Sequence, residues 1–496
     1  MHFRIHLVAV ADDGAEHQQE IADLIRTEAI LETTGLTLAE SKEALHALQR
    51  TIVNQQVTTY LDAQRACPHC GKHRQLKAHG TTPFRTLFGV VPVPNPRWQH
   101  CICQSHTEQT FRPLATLLPE RTSPELRYLE TKWAALVSYG STTNLLHDVL
   151  PIDRKHSAVT VRNHLLQAAR RAEQAMGDEK VMFLEGSQAE RDRLPIPDGP
   201  LSVGLDGGIV RARRSTTGAK TPSLFEVIAG KSILSFRRDD PEDMPPSSKC
   251  FALVQSVDPK PKRRLFDLLR SQGMQANQQV TFFSDGGDTV RALPAYLHPE
   301  SEHILDWFHL TMRITVLQQC ARGLAKPPAT EIVSEVADER SLARRLESAK
   351  HYLWHGNSAM ALLRLEDVAD DLERWGCDEE GARHPRADRD AATRMGKYVR
   401  ELTVYIAHNA GSIVNYGERY RNGERISTAF TESTINQVVS KRMVKKQQMQ
   451  WTPQGAHLLL QVRTQVLNDD WEATFRRWYP RFRPVQTPVM ITSEAA

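Results

Sequence analysis

Two segments of the chain share one design, an apolar strand ending in an aspartate that two glycines follow. LSVGLDGGIV ends its strand at Asp206, and VTFFSDGG ends its strand at Asp285. In the first segment Leu201, Val203 and Leu205 face one side of the strand, so Asp206 faces the other. Glycine lets a backbone approach a ligand that a Cβ would block. One such segment alone indicates a tight turn, whereas two copies favour a site to which both strands contribute.

The elements around these aspartates follow a recognisable order. LFEVIAGKSILSF and KCFALVQSVD are typical of strands, KPKRRLFDLLRSQGM of a basic helix, and HILDWFHLTMRITVLQQC of a buried strand running into a helix. Three strands, a helix, a strand, a helix and a strand is the order of a ribonuclease-H-like sheet with helices on both faces. In such a sheet, neighbouring strands bring Asp206 and Asp285 to the same edge.

A third carboxylate stands alone within the stretch ISTAFTESTINQVVS. Read as a helix, this stretch places Glu432 on one face with Ile435, Asn436, Val439 and Met443. A carboxylate on an apolar stripe needs a partner, because burying an unpaired charge is unfavourable. That partner is either an arginine from elsewhere in the chain or a metal ion held with other carboxylates.

Three carboxylates at one edge repel one another but suit two divalent cations, Mg²⁺ or Mn²⁺. Two such ions activate the attacking oxygen and stabilise the leaving oxygen of a phosphodiester. Basic side chains near the acids would then follow a DNA backbone. On this interpretation the DNA-binding residues of the core are Arg211, Arg213, Lys441, Arg442, Lys445 and Lys446.

Four of the seven cysteines form two close pairs that bracket a predicted hairpin. Thiolates are preferred zinc ligands, and a small β module buries too little apolar surface to fold without support. The second pair has only one intervening residue, so His100 or His106 remains an alternative to one thiol. Reduced cysteines without metal are the other interpretation. The predicted ligands are Cys67, Cys70, Cys101 and Cys103.

Residues 124–176 are helical in pattern, with a short break at PIDRKHS and Ser157 as the cap of the helix that follows. That helix carries Arg162 and Asn163, whose side chains reach bases and phosphates when a helix enters the major groove. An ordinary helical bundle explains the same pattern equally well.

The chain of 496 residues has a net charge of +4 and a pI near 8.6, so any nucleic-acid binding depends on local basic clusters. It has no long apolar segment and an odd number of cysteines, from which we expect a cytoplasmic protein with no membrane partner. Residues 15–62 are helical in pattern, and we expect a domain boundary near 185–200. The predicted regions are an N-terminal helical region (1–62) with a capping box at Thr37 and Glu40, a zinc-ribbon-like module (63–112), a helical DNA-binding domain (113–185), the first part of a catalytic core (195–325), a helical insertion (326–424) anchored by Trp354 and Trp375, the last part of the core (425–480) and a tail (481–496).

The motifs VGLDGG, FFSDGG, ILDWFH and ISTAFTESTINQVVSKRM, with Trp451 and the upstream cysteine pairs, span residues 65–465. In this order they resemble the DDE-type transposases of bacterial insertion sequences, most closely the Kra-type (ISKra-like) group. The resemblance implies that Asp206, Asp285 and Glu432 are the catalytic acids. Asp306 and His309 match an auxiliary Asp-x-x-His signature, and Asp306 is also the main rival to Asp285.

That resemblance implies a transposase that binds the terminal inverted repeats of its element and target DNA, cuts strands and joins them. It also implies two magnesium or manganese ions and a homo-oligomer assembled on DNA. Ala429 and Asn436 depart from the family pattern, where glycine and arginine are common, and leave the DNA contacts near Glu432 open. The alternatives are a nuclease without strand transfer and a DNA-binding repressor derived from a transposase.

Overall fold

A computed structural model describes residues 1–10, 14–28, 30–103, 109–181, 183, 186–197, 201–213, 223–234, 248–287, 301–324, 341–376, 386–443 and 449–483, without the side chains at 234, 376, 386, 429, 430 and 432. The strands are β1 (His2–Val10), β2 (Glu16–Ile25), β3 (Leu76–Ala78), β4 (Thr81–Thr86), β5 (Gly89–Pro94), β6 (Arg97–Gln99), β7 (Thr110–Phe111), β8 (Leu201–Arg211), β9 (Leu224–Leu234), β10 (Ser248–Val254), β11 (Val280–Ser284) and β12 (Glu302–Leu305).

The α-helices are α1 (Leu38–Arg65), α2 (Leu114–Leu117), α3 (Pro124–Leu136), α4 (Tyr139–Val149), α5 (Ala158–Ala175), α6 (Gln188–Arg191), α7 (Pro261–Ser271), α8 (Trp307–Gly323), α9 (Leu342–Trp354), α10 (Ser358–Gly376), α11 (Arg386–His408), α12 (Tyr416–Arg421), α13 (Ala429–Ile435), α14 (Lys441–Met443), α15 (Pro453–Leu467) and α16 (Trp471–Trp478). A π-helical segment, Asn436–Ser440, joins α13 to α14. By its internal contacts the chain forms an N-terminal unit, Met1–Ala172 with the segment from Asp469 onward, and a central unit, Glu173–Asn468.

The central unit contains a five-stranded mixed sheet in the order β10-β9-β8-β11-β12. β10, β9 and β8 pair antiparallel, whereas β11 pairs parallel with both β8 and β12. The helix α7 lies between β10 and β11 in the chain, as a crossover to a parallel strand requires. The protein is therefore a multidomain α/β protein with a five-stranded mixed sheet. Its described strands and α7 follow the chain order predicted from the sequence, and the helix predicted between β11 and β12 falls outside the described residues.

The two faces of β8 are covered by different helices. Leu201, Val203 and Leu205 join one hydrophobic core with Leu265 and Leu269 of α7, which confirms the predicted alternation along the strand. The opposite face, which includes Asp206, is the one that α13 and the π-helical segment cover.

A helical layer follows the sheet in the chain. Helices α9, α10 and α11 share a core with α8 and with the strands β11 and β12. Trp354 and Trp375 are partly buried against this core, as predicted, and the Trp354 ring lies 5.0 Å from that of Trp307. The acidic and basic tract predicted as a loop falls outside the described residues over 377–385 and continues as α11 from 386.

In the N-terminal unit, α1 packs on the β4–β5 hairpin. Val53 and Val57 of α1 share a core with Val91 and Val93 of β5. The predicted capping box is present at the start of α1, where the Thr37 side chain accepts from the Glu40 backbone and Glu40 accepts from the Thr37 backbone.

The prediction of helix from residue 15 onward is wrong up to residue 25. β1 and β2 form an antiparallel hairpin there, with Val10 paired to Glu16. Phe3 and Ile5 alternate with basic residues, which is the period of a strand, and Gly14 adopts φ +82° in the connection.

The C-terminal end of the described chain belongs with the N-terminal unit, not with the core predicted for 425–480. The Trp471 indole is 2% exposed and donates to the Thr131 hydroxyl at 3.0 Å. The Phe475 ring meets that of Tyr128 at 5.3 Å. The division of the chain correspondingly lies at Ala172 and Glu173, earlier than the boundary expected near 185–200.

Replacing Trp471 with alanine should therefore destabilise the N-terminal unit by about 3–5 kcal/mol, because it empties a large buried volume. Urea denaturation followed by circular dichroism measures this loss. The matched control is Arg476→Ala, on an exposed position of the same helix, which should change stability by no more than about 0.5 kcal/mol. Equal effects of the two substitutions would contradict the packing described.

Candidate active site

Asp206 lies within β8, which runs on to Arg211 beyond the strand end predicted at Asp206, and Asp285 directly follows β11, the parallel neighbour of β8. Phe283 of β11 pairs with Gly204 of β8, so each aspartate comes two residues after a paired position. Side chains two residues apart on a strand share a face. The structure therefore brings together the two acids that the DGG segments predicted.

The electrostatics of this edge reflect the crowding of acids. Burial raises the pKa of the Asp206 carboxyl above its ordinary value, and the negative charges of Asp285 and Asp306 raise it further. The Gly207 backbone N–H, which donates to Asp206 Oδ1 at 2.7 Å, and the nearby His309 act in the opposite direction. A cation placed between the carboxyls would relieve this repulsion.

The end of β11 can be built only with glycine at 286. Gly286 has φ +78°, and a Cβ there would lie 2.4 Å from Asn409 Oδ1 and 2.7 Å from Leu305 Cδ1. The hydroxyl of Tyr405, on α11, donates to the carbonyl oxygen of Asp285 at 2.6 Å. The close fit around Gly286 and the hydrogen bond from Tyr405 together hold the backbone that carries the second acid.

The third predicted acid, Glu432, belongs to α13, and its side chain lies outside the described residues. One helical turn later, Ile435 lies 3.8 Å from the position of a Cβ on Gly208, and Val439 lies 3.9 Å from it. Gly208 is two residues beyond Asp206 and on the same face of β8. The helix that carries Glu432 therefore covers the face of the strand on which Asp206 lies.

The apolar stripe predicted for this helix changes at its π-helical segment. Ile435, Val439 and Met443 are buried as expected, but Asn436 is exposed. The wider π turn rotates the later residues relative to an α-helix, and such segments occur frequently at functional sites. Arg463 of α15 donates to the carbonyl oxygen of Val438 at 2.8 Å and so satisfies part of this segment.

Arg442, for which a DNA contact was predicted, is 2% exposed in this structure. Its guanidinium lies 5.3 Å from the centre of the Trp451 ring. Trp451 is itself joined to the end of β8 through backbone bonds with Arg211 and Arg213. Arg442 therefore packs inside the core, where a cation over an indole face is favourable.

For the other predicted DNA-binding residues, contact with DNA stays a prediction. Arg211, Arg213 and Lys441 are exposed in the central unit, whereas Lys445 and Lys446 lie outside the described residues. In the N-terminal unit, Arg162 and Asn163 are exposed on α5. The predicted cap of α5 is present, since Ser157 Oγ accepts from the backbone N–H of Thr160 at 3.4 Å.

Asp306 is buried and fully engaged in hydrogen bonds. Its Oδ1 accepts from the backbone N–H groups of Phe308 and Thr428, at 3.0 and 3.1 Å. Its Oδ2 accepts from the Thr428 hydroxyl at 2.6 Å and contacts His309 Nδ1 at 2.5 Å. The exposed fraction of this side chain is zero. Asp306 is therefore a poorer candidate than Asp285 for a metal ligand.

The pKa of the Asp306 carboxyl and that of the His309 imidazole shift in opposite directions. Burial alone would raise the pKa of Asp306, but the hydrogen bonds from His309 and Thr428 outweigh it and lower the pKa. The hydrogen bond to Asp306 raises the pKa of His309 against the effect of burial, and the charges of Asp206 and Asp285 add to that increase. His309 thus favours its cationic form beside the acids.

Sequence reasoning missed Thr428 and Tyr405. Thr428 had a local signal, because a threonine before a predicted helix is a cap candidate, although its hydroxyl donates to Asp306 instead. Tyr405 had none, since its contact with Asp285 joins residues 120 positions apart.

The four predicted zinc ligands come together in the N-terminal unit. The sulfur of Cys67 lies 3.6 Å from that of Cys103, and that of Cys70 lies 3.4 Å from that of Cys101. All four lie within 4.8 Å of one another. Tetrahedral zinc with Zn–S bonds of about 2.3 Å separates its sulfurs by about 3.8 Å. The cluster therefore fits a zinc ion.

The alternative histidine ligands receive no support. The His100 ring lies 4.6 Å from that of Phe111 in a tilted stack, and His106 lies outside the described residues. Backbone N–H groups of His69 and Cys70 lower the pKa of Cys67 to about 6, which favours the thiolate that a metal requires.

A second group of possible ligands was not predicted. Glu173, Asp258 and His457 place ligand atoms within 4.8 Å of one another in the central unit. The Arg264 guanidinium lies among them, with Nη1 2.9 Å from Glu173 Oε1 and Nε 2.9 Å from Asp258 Oδ2. These ligands could hold a metal, but the guanidinium already pairs with both carboxylates, so we interpret the group as a buried ion-pair network.

Comparison with models of protein families and with curated proteins finds no match to this chain. Within the described ranges, no helix has both the length and the apolar character needed to cross a bilayer. The functional interpretation therefore depends on the residues and geometry described above.

Replacing Cys103 with serine should sharply reduce the zinc content of the purified chain, because it removes one of the four thiolate ligands. Elemental analysis by mass spectrometry measures this. Cys320→Ser, at an exposed cysteine outside the cluster, should retain wild-type zinc. Retention of zinc by Cys103→Ser would show that another residue completes the site.

The ion-pair network predicts a pH dependence of stability. Burial would raise the pKa of Glu173, but bonds to His457 and Arg264 lower it to about 2, below the value of about 4.3 in unfolded chains. Its stabilisation is thus complete above the unfolded pKa and is lost as pH falls towards about 2. Glu173→Gln should therefore lower the melting temperature at pH 7 by more than it does at pH 3. Glu401→Gln, at an exposed position, should show no such difference.

Proposed function

We propose that this chain is a DDE-type transposase that cuts and joins DNA strands with divalent metal ions. The observation that carries the proposal is the position of Asp206 on β8 close to Asp285, the residue that follows the parallel strand β11. The helix of Glu432 covers the same face of β8. Three carboxylates gathered from segments this far apart are unfavourable unless they hold cations.

The sheet supports a ribonuclease-H-like fold for the central unit. Three antiparallel strands are followed by two parallel ones, in the order expected from the sequence. The acids come from β8, from the residue after β11, and from a helix that follows the helical layer α9–α11. In open α/β sheets, sites form outside the carboxyl ends of parallel strands.

The residues present fit two magnesium or manganese ions, since carboxylate oxygens are the ligands that these ions prefer. Such ions would supply an activated attacking oxygen and charge neutralisation at the phosphorus. Asp206, Asp285 and Glu432 would hold them. In the first reaction, water attacks the phosphodiester and leaves a 3′ hydroxyl. In the second, that hydroxyl attacks a phosphodiester of the target DNA and releases its 3′ oxygen.

Each of the two units carries DNA-binding residues that we propose. Arg211, Arg213 and Lys441 are exposed cations of the central unit that would contact phosphates near the acids. Arg162 and Asn163 on α5 would contact the terminal inverted repeats, and the cysteine module would stabilise that unit. Because one insertion requires cutting two element ends, a homo-oligomer on DNA is part of the proposal.

Asp206→Asn and Asp285→Asn should each reduce Mg²⁺-dependent cleavage of element-end DNA by at least about a hundredfold, as losing a charge-stabilising group does. DNA binding should remain. Cleavage is followed on labelled duplexes and binding by gel shift. Asp390→Asn, at an exposed site on α11, is the matched control and should cleave normally.

The outcomes separate the alternatives. Cleavage without joined products in the wild type favours a nuclease, and binding without cleavage favours a repressor. Full cleavage by Asp206→Asn contradicts the assignment of the site.

A further inference from the structure

Asp306, whose carboxylate is buried, connects β11, the strand before the second acid, with α13, the helix of the third. The backbone N–H of Asp306 donates to the carbonyl oxygen of Ser284, the residue before Asp285, at 2.9 Å. Its side chain accepts from both the backbone N–H and the hydroxyl of Thr428, which directly precedes α13. Glu432 lies one helical turn later. Asp306 thus contacts the two segments that carry these acids, although they are far apart in the chain.

The carboxylate is favourably placed at two helix starts. It accepts from Phe308 in the first turn of α8 and from Thr428 at the start of α13. Helix N-termini leave N–H groups without partners and carry partial positive charge, so an acid there stabilises both. A second link lies beside it, because the Trp307 backbone N–H donates to the Ile426 carbonyl oxygen at 3.2 Å.

We propose that Asp306 is a positioning residue that fixes α13 relative to β11 through its bonds to Thr428, and so sets the separation of the metal-holding acids. This inference rests on the proposed function of the site. Asp306 itself holds no metal in this arrangement, since both of its oxygens already accept hydrogen bonds. Its action on the site passes through Thr428.

The chain offers a matched pair of substitutions that tests this role. Thr428→Val keeps the shape and the backbone N–H but removes the hydroxyl that donates to Asp306. Thr431→Val makes the same change one turn later, at a buried hydroxyl with no hydrogen-bond partner among the described residues. Thr428→Ser restores the donor.

Binding of Mn²⁺ to the full-length chain, measured by electron paramagnetic resonance without DNA, is the first readout. Thr428→Val should weaken binding about ten- to a hundredfold, the range seen when a residue supporting a metal ligand is lost. Thr431→Val should bind as the wild type does, and Thr428→Ser should recover most of the affinity. Amide hydrogen exchange over residues 429–435 should increase only in Thr428→Val.

Equal Mn²⁺ affinity of Thr428→Val and Thr431→Val overturns the positioning role. If the wild type binds Mn²⁺ through Asp206 but does not cut DNA, the proposed function alone is overturned. In that case the two threonine variants still decide the role of Asp306. Mn²⁺ binding that Asp206→Asn leaves unchanged overturns both.

Discussion

Repulsion between carboxylates is the constraint around which the central unit is arranged. The acids on β8 and directly after β11 tend to move apart unless the backbone beneath them is held, and several contacts hold it. Gly286 brings the chain against Asn409 and Leu305, where a side chain would not fit. Tyr405 bonds the carbonyl of Asp285, and Asp306 joins the neighbouring strand to α13. The helical layer that contributes Tyr405 is thus part of the support of the site as well as an insertion in the chain.

The features that the sequence predicted well are those that repeat over a short distance. Alternation of Leu201, Val203 and Leu205 with smaller or polar residues identified the strand and its buried face. The Thr37 capping box was equally local. The hairpin β1–β2 was missed because the helical interpretation of residues 15–62 ignored the alternation in β1, which provides the partner strand. Pairing with the adjacent strand β1 overrides the local pattern of β2.

Contacts between distant residues could not be predicted in this way. A run of cations is usually a solvated surface, yet Arg442 is buried because the π-helical segment and Trp451 place it inside the core. The same limit applies to Trp471, whose partner Thr131 lies 340 residues away. Local signals indicated the residues that we propose carry the chemistry, whereas the contacts that support them emerged only from the fold.

The two predicted metal sites differ in ligand chemistry, and that difference favours a different ion at each site. The sulfur cluster of the N-terminal unit favours zinc, since soft thiolates bind it far better than they bind magnesium. The oxygen ligands around Asp206 favour hard cations that keep water and phosphate in their shells. Between these extremes, the group of Glu173, Asp258 and His457 has ligands that would accept zinc, but Arg264 supplies the positive charge in its place. A buried guanidinium can therefore do structurally what a metal does elsewhere in the chain, without competing for the ions that the proposed chemistry requires.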